Sequence, residues 1–173
     1  MEARSAGGHV IRIYDRLYLR WHGLDVPEAE VDPVMRIEVR TNRAAVALPG
    51  GAVIRPGERV GALHLNNERI GELRRRGFTR LEIGLRFAPE SLAALARMAG
   101  ERGRLSEVRA FSAVTIFHPY LLRHGFRLQP GGVRWPRLAT RHCERLCGAG
   151  TRRRARAAER VWITREELLA RFG

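Results

Sequence analysis

The chain has 173 residues, a length that suits one domain with a hydrophobic core. Hydrophobic residues make up 45% and charged residues 29%, a balance that excludes an intrinsically disordered protein. All 32 basic residues are arginine, and the formal net charge of +14 predicts attraction to nucleic acid, anionic lipid or anionic polysaccharide. The exclusive use of arginine fits phosphate recognition by guanidinium groups, and it fits the codon usage of a GC-rich genome equally.

The N-terminal segment combines a flexible leader with an amphipathic helix. Residues 1–8 are predicted to be the leader and 9–173 a single domain. Between residues 9 and 22 one helical face is apolar, and a separate stripe consists of Arg12, Arg16 and Arg20. Such a helix either docks its aromatic face, which includes Trp21, on the core or lies on an anionic membrane.

The strand-like segments predict an α+β (or α/β) fold with a small mixed sheet and packed helices. After an acidic loop at 23–33, strands are predicted at 35–41, 44–48, 52–54, 59–65, 107–117, 126–129 and 160–163. The segments 44–48 and 52–54 form a hairpin around Pro49-Gly50-Gly51. The basic run 151–160 is predicted to be a solvated loop or a frayed helix.

The helical segments carry recognisable start signals. Asn67 is predicted to cap a helix over 68–76, and Thr164-x-x-Glu167 to form a capping box for the terminal helix. Residues 78–87 are ambiguous between helix and strand; we favour a helix with an interruption near Pro89. In that helix Leu81 and Leu85 begin an apolar seam that continues to Ala99. Shorter helices are predicted at 118–124 and 136–147.

The first candidate site is the junction between the strand at 59–65 and the following helix. His64, Asn66 and Asn67 converge there, where free backbone N–H groups and the helix dipole favour an anion. These side chains would orient a phosphate or a sugar. The alternative is structural, with Asn67 as a helix cap and His64 bound to a buried carbonyl.

The second candidate site is the junction after the strand at 107–117, with Thr115, His118 and Arg123. If the two strands are parallel neighbours, the two junctions share a crevice. His64 and His118 are then the candidate catalytic residues, acting as acid and base or as metal ligands. The alternative is that His118-Pro119 only starts a helix.

The remaining polar clusters carry weaker signals. His142, Cys143 and Cys147 resemble zinc ligands, but adjacent residues point apart on a helix, so no metal is predicted, and no cofactor either. The arginine-rich segments 74–76, 134–145 and 152–160 allow nucleic-acid binding, although no known nucleic-acid-binding motif accompanies them. Arg12, Asp15 and Arg16 interrupt the N-terminal apolar run, and no stretch is long and apolar enough to span a bilayer, so we expect neither a signal peptide nor a membrane span. The predicted localisation is cytoplasmic, with peripheral attachment to the inner face of the membrane as an extension.

Four segments of the chain form a recognisable set: IYDRLYLRW at 13–21, PGERVGALHLNNERI at 56–70, FSAVTIFHPYLLRHGFRL at 111–128 and VWITREELLARFG at 161–173. Together they resemble the YkoP-like domain family of bacteria. The most specific part is G-[DE]-x-V-x-x-L-H-L-x-N, which contains His64 and Asn67. The resemblance implies no established activity, but an association with genes for envelope polysaccharide or glycolipid.

Three functional hypotheses follow. The leading one is a non-catalytic, accessory or binding domain for an anionic, phosphate-bearing envelope precursor, such as a glycolipid or polysaccharide precursor, or for an anionic lipid surface. The second is a transferase that uses His64 or His118 as a base. The third is nucleic-acid binding through the arginine-rich surface. The oligomeric state is not predicted.

Overall fold

The computed structural model describes residues 20–24, 26–48, 50–129 and 157–173, together with Val133, Arg137 and Thr140. The strands are β1 Glu30–Val31, β2 Met35–Thr41, β3 Val46–Ala47, β4 Val53–Ile54, β5 Arg59–Leu65, β6 Val108–Thr115, β7 Arg127–Gln129 and β8 Glu159–Thr164. The helices are α1 Asn67–Arg75, α2 Arg80–Glu82, α3 Ala88–Ala99, α4 His118–Arg123 and α5 Arg165–Phe172. A 3₁₀ turn precedes β1 at Pro27–Ala29, and a π-helical segment at Ile83–Phe87 joins α2 to α3.

Six of these strands form one mixed sheet in the order β1-β2-β5-β6-β8-β7. The central pair β5–β6 is parallel, and every other neighbouring pair is antiparallel. The predicted α+β single domain is therefore confirmed. The hairpin β3–β4 is also confirmed, but it forms a separate two-stranded sheet and does not extend the main one as predicted.

The two faces of the main sheet are covered differently. One face packs under the helices, with Leu92, Leu95, Phe111, Ile163 and Leu168 fully buried between them. The other face is covered near the start of β5 by the hairpin, in a smaller cluster of Leu48, Ile54, Val60, Ala110 and Trp162. Each such side chain contributes about 1.5–3 kcal/mol to folding. The remainder of this second face carries charged and polar residues.

Gly61 permits close packing at the centre of the sheet. It pairs with Val39 on β2 and Phe111 on β6. A Cβ atom at this position would lie 2.7 Å from both Ile37 Cδ1 and Phe111 Cδ1. Only glycine lets the large Phe111 ring fill the core over β5.

The segment 78–87 is helical from Arg80 onwards, as favoured, and its interruption lies at the π-helical turn just before Pro89. The proline has no N–H, and its ring would clash with the carbonyl of Leu85; the wider π turn relieves that clash. The predicted apolar seam was wrong at its start, because Leu81 and Leu85 are 70% and 60% exposed. The π turn contains one more residue than an α-helical turn, so Leu81 and Leu85 are rotated away from the helix face that carries Leu92.

Three further details correct the sequence-based predictions. The acidic loop at 23–33 contains a short strand, β1, which extends the sheet beside β2. The cap of α1 is Asn66, whose side chain accepts a hydrogen bond from Arg69 N at 3.2 Å, and not Asn67. Arg160, which the sequence placed both in the basic run 151–160 and in the strand 160–163, lies in a strand, β8. The capping box at Thr164 and Glu167 is confirmed by both reciprocal hydrogen bonds.

Candidate functional site

The polar face of the sheet originates in the alternation of β2. In the sequence MRIEVR, Met35, Ile37 and Val39 enter the main core. Successive side chains of a strand point to opposite faces, so Arg36, Glu38 and Arg40 lie on the other side. We call this side of β2, β5, β6 and β8, away from the helices, the polar face.

Glu38 is the centre of a cluster with two histidines. Its Oε2 atom lies 3.2 Å from His22 Nδ1 and 3.5 Å from His64 Nε2. The imidazole rings are 6.4 Å apart between centroids. His64 faces Arg36 across the β2–β5 pair, and Glu38 faces Ala62, so Glu38 reaches His64 on the diagonal. We call these three residues the Glu38 cluster.

The electrostatics of the Glu38 cluster favour an ionised carboxylate. The hydrogen-bonding contact with His64, supported by His22, lowers the pKa of the Glu38 carboxyl from 4.5 to about 2, although burial acts in the opposite direction. The Glu38 side chain is only 19% exposed and that of His64 24%. The largely buried carboxylate of Glu38 thus contacts both imidazole rings and fixes their orientation.

Arg36 lies beside His64 but is occupied by structural contacts. Its Nη1 atom donates to the Leu24 carbonyl at 2.9 Å, and its Nη2 atom lies 3.2 Å from Glu68 Oε2 and 3.6 Å from Glu30 Oε1. The residue is only 6% exposed. Its charge is thus compensated by α1 and β1, and it joins these elements to the sheet.

Arg160 and Arg40 form the cationic part of the polar face. Arg160 pairs in register with Val114 on β6 and Gln129 on β7. Burial first, and the positive charge of Arg40 second, lower the pKa of the Arg160 guanidinium. Among the described residues, the buried Nε atom of Arg160 has no hydrogen-bond partner, and neither arginine forms an ion pair with an acidic residue.

Asn66, at the junction between β5 and α1, has a structural role. This residue is 7% exposed, its N–H donates to the Val34 carbonyl at 2.8 Å, and its side chain caps α1. Asn67 is the first residue of α1 and is half-buried. Of the three residues predicted at this junction, His64 alone joins the Glu38 cluster.

The second junction lies at the same edge of the sheet, because β5 and β6 are parallel neighbours. Parallel pairing of these two strands is the condition under which the two junctions were expected to share a crevice. Thr115 Oγ1 accepts a hydrogen bond from Phe117 N at 3.0 Å, and His118 Nδ1 lies 3.3 Å from the Thr115 carbonyl oxygen. Arg123 is exposed in the last turn of α4. His118 contacts its own turn, whereas His64 contacts Glu38 and His22.

Several predicted residues lie outside the described part of the chain. These are Arg12 and Arg16 of the N-terminal helix and the group His142, Cys143 and Cys147. Arg20 and Trp21 are helical and exposed, and Trp21 is 90% exposed, so its ring does not dock on the core. Within the described ranges, no helix is long and apolar enough to cross a membrane, and no three His, Cys, Asp or Glu side chains are placed to hold a metal ion.

Sequence reasoning missed His22, Glu38, Arg40 and Arg160 as members of the polar face. The alternation of β2 was visible, and it assigned Glu38 to a polar side of the sheet. The register that brings Glu38 to His64 was not visible, since it depends on how β2 and β5 pair. Arg160 was predicted both at the end of a basic run and at the start of the strand 160–163, and neither prediction indicated which face of the sheet it occupies.

Comparison with known proteins identifies one relationship. The chain matches the family model described as the YkoP domain over residues 7–172. Neither the curated proteins nor the solved structures yielded a match. Because the family match covers nearly the whole sequence, the chain belongs to the YkoP domain family.

Proposed function

We propose that the protein is an accessory or binding domain that receives an anionic, phosphate-bearing envelope precursor, or the headgroup of a membrane surface, on its polar face. The observation that carries this proposal is Arg160. Its guanidinium is partly buried, lacks an acidic partner among the described residues, and has another cation, Arg40, as its charged neighbour. A buried charge without a counter-ion is unfavourable, and a bound phosphate would supply both charge and acceptor oxygens.

The Glu38 cluster complements these arginines. By continuation of the β5–β6 register, His64 lies beside Val114, which pairs with Arg160. The backbones of β5 and β8 are separated by one strand, so they lie about 10 Å apart. A phosphate held by Arg160 would leave the attached sugar or second phosphate within reach of His64. Envelope ligands are favoured because the resemblance to the YkoP family implies an association with genes for envelope polysaccharide and glycolipid.

The test is titration calorimetry with inorganic phosphate and pyrophosphate as probes. Arg160→Gln should weaken pyrophosphate binding at least tenfold, since one charged bidentate contact is lost. Arg102→Gln removes the same charge from an exposed loop and should change binding less than twofold. Equal affinities of the wild-type protein and Arg160→Gln would refute the anion site.

A stability measurement separates a binding role from a structural one. If Arg160 is retained for a ligand, Arg160→Met should leave the melting temperature unchanged or raise it, because an uncompensated buried charge is replaced by an apolar side chain. A large decrease in melting temperature would instead show that Arg160 holds the sheet together.

The Glu38–His64 contact favours a second candidate function, a transferase acting on a nucleotide-sugar. In such a reaction His64 would accept the proton of an acceptor hydroxyl. The oxygen of that hydroxyl would form a bond to the anomeric carbon of the donor sugar. The bond from that carbon to the nucleoside diphosphate would break, and the diphosphate would leave with the electron pair. Glu38 would stabilise the imidazolium. His118, at the same sheet edge, is the alternative base.

This candidate is tested by release of UDP from UDP-N-acetylglucosamine. His64→Ala should abolish release with little change in melting temperature, and Glu38→Gln should lower kcat more than KM. His118→Ala tests the alternative base, because loss of UDP release in this variant with His64→Ala still active would assign the role to His118. Absence of UDP release by the wild-type protein, across sugar acceptors, would remove this candidate and leave the binding role.

A further inference from the structure

An exposed apolar pair stands at the start of the helical run 80–99. Leu81 and Leu85 are 70% and 60% exposed. They are four residues apart, so they lie next to each other on one helix face. The inner side is already filled, because Ile83 is buried and Phe78 packs edge-on against Phe87 at 5.3 Å between ring centroids. Repacking against the domain's own core is therefore not available to the leucines.

The preceding turn places arginines beside these leucines. α1 ends in a Schellman motif in which Gly77 N donates to the Arg74 carbonyl and Phe78 N to the Leu73 carbonyl. Gly77 has φ of +93°, which a side chain would disfavour. The turn is thus well defined, and it leaves Arg74, Arg75 and Arg76 exposed immediately before α2. We call residues 74–86 the basic corner.

The charge of the basic corner is strongly one-sided. It contains five arginines and one glutamate, Glu82. The Glu82 carboxylate accepts hydrogen bonds from the backbone N–H and the hydroxyl of Thr79, both at 2.7 Å. Glu72, just outside the corner, is paired with Arg69 at 2.7 Å. No described acidic side chain forms an ion pair with Arg74, Arg75, Arg76 or Arg86.

We propose that the basic corner docks the domain onto an anionic lipid bilayer, with Leu81 and Leu85 inserted at the acyl boundary and Arg74, Arg75 and Arg76 at the lipid phosphates. Interleaved exposed leucines and arginines are the pattern that binds such an interface. Two leucine side chains are too small for a stable protein–protein interface, which buries about 1,200–2,000 Å². The inference deepens the membrane part of the proposed function, but it uses residues distant from Arg160 in the sequence.

The test is flotation with vesicles of pure phosphatidylcholine and with vesicles containing phosphatidylglycerol. The wild-type protein should float only with the anionic vesicles. The double variant Leu81→Ser/Leu85→Ser should lose at least tenfold in partitioning. The triple variant Arg74→Gln/Arg75→Gln/Arg76→Gln should lose about a hundredfold, since each basic residue contributes about fivefold near an anionic surface. Both sets replace exposed side chains, and unchanged circular dichroism verifies folding.

Leu122→Ser is the matched control, because this leucine is also exposed, at 39%, but lies on α4. It should float like the wild-type protein. Wild-type flotation of the double leucine variant would overturn the proposal. A wild-type dimer that this variant converts to a monomer, with flotation unchanged, would identify a second copy of the chain as the occupant instead.

Failure here and failure of the proposed function are distinguishable. Arg160→Gln should lose pyrophosphate binding and still float, whereas Leu81→Ser/Leu85→Ser should bind pyrophosphate normally and remain unbound to vesicles. Loss of both pyrophosphate binding and flotation in either variant would show that the two ligands share one site. That result would contradict the proposal that Arg160 and the basic corner belong to two separate surfaces.

Discussion

Replacement of Glu38 by glutamine should flatten the acid dependence of stability. In the folded protein the contact with His64, followed by that with His22, holds the pKa of the Glu38 carboxyl at about 2, against 4.5 ordinarily. As pH falls from about 4.5 to about 2, the unfolded chain takes up this proton before the folded one. The contribution of Glu38 to the free energy of unfolding is therefore complete above about pH 4.5 and is lost towards pH 2.

The size of this effect follows from the same pKa difference. Each pKa unit corresponds to about 1.4 kcal/mol, so the lowered pKa of Glu38 corresponds at most to about 3 kcal/mol. The Glu38 side chain keeps 19% of its exposure, and water screens its contacts with the histidines. We therefore expect about 1.5 kcal/mol.

The assay is urea unfolding of the wild-type protein and Glu38→Gln at pH 6 and pH 2.5. The wild-type protein should lose about 1.5 kcal/mol more than the variant over this interval. His64→Gln should abolish more of the difference than His22→Gln, because His64 makes the larger contribution. Glu107→Gln, at an exposed ion pair with Arg59, is the control and should follow the wild-type protein. Equal losses of stability between pH 6 and pH 2.5 in the wild-type protein and Glu38→Gln would refute the assignment of this acid dependence to Glu38.

Three further substitutions test the fold. Gly61→Ala should cost about 1–3 kcal/mol in chemical unfolding, because the new methyl group overlaps the Phe111 ring; an unchanged midpoint would contradict the packing. Asn66→Ala should cost about 1 kcal/mol by loss of the α1 cap, whereas Asn67→Ala should cost much less; the reverse order in thermal melts would restore the sequence-based cap. Arg36→Ala should cost about 1–3 kcal/mol in urea unfolding because it leaves the buried Leu24 carbonyl without its donor, and no measurable loss would show that this hydrogen bond is incidental.

The sequence predicted where the strands and helices lie better than it predicted which strands pair with each other. Strand alternation and turn residues located β2, the hairpin β3–β4 and β5, and the capping box located α5. Pairing was less accessible, since it depends on contacts between segments far apart in the chain. The hairpin was therefore assigned to the main sheet, and β1, with only two residues, was missed.

Single residues of the candidate site could be predicted from the sequence, but the way they come together could not. His64 was identified from its position at a strand end, and the parallel pairing that brings its junction beside that of His118 was stated as a condition. Glu38 required the β2–β5 register, and Arg160 required the β6–β8 register that places it beside Val114. The exposure of Leu81 and Leu85 depended on a π turn, which no simple helical period anticipates.

The position of β8 in the sheet has a consequence for synthesis on the ribosome. β8 lies between β6 and β7, although it is the last strand to be made. Until residues 159–164 emerge, β6 has an open hydrogen-bonding edge on that side, and β7 lacks the neighbour with which it pairs. The nascent chain therefore carries an unpaired apolar strand from the synthesis of β6 until residues 159–164 emerge. Chaperone demand and aggregation in the cell should be set by this interval rather than by the stability of the finished domain.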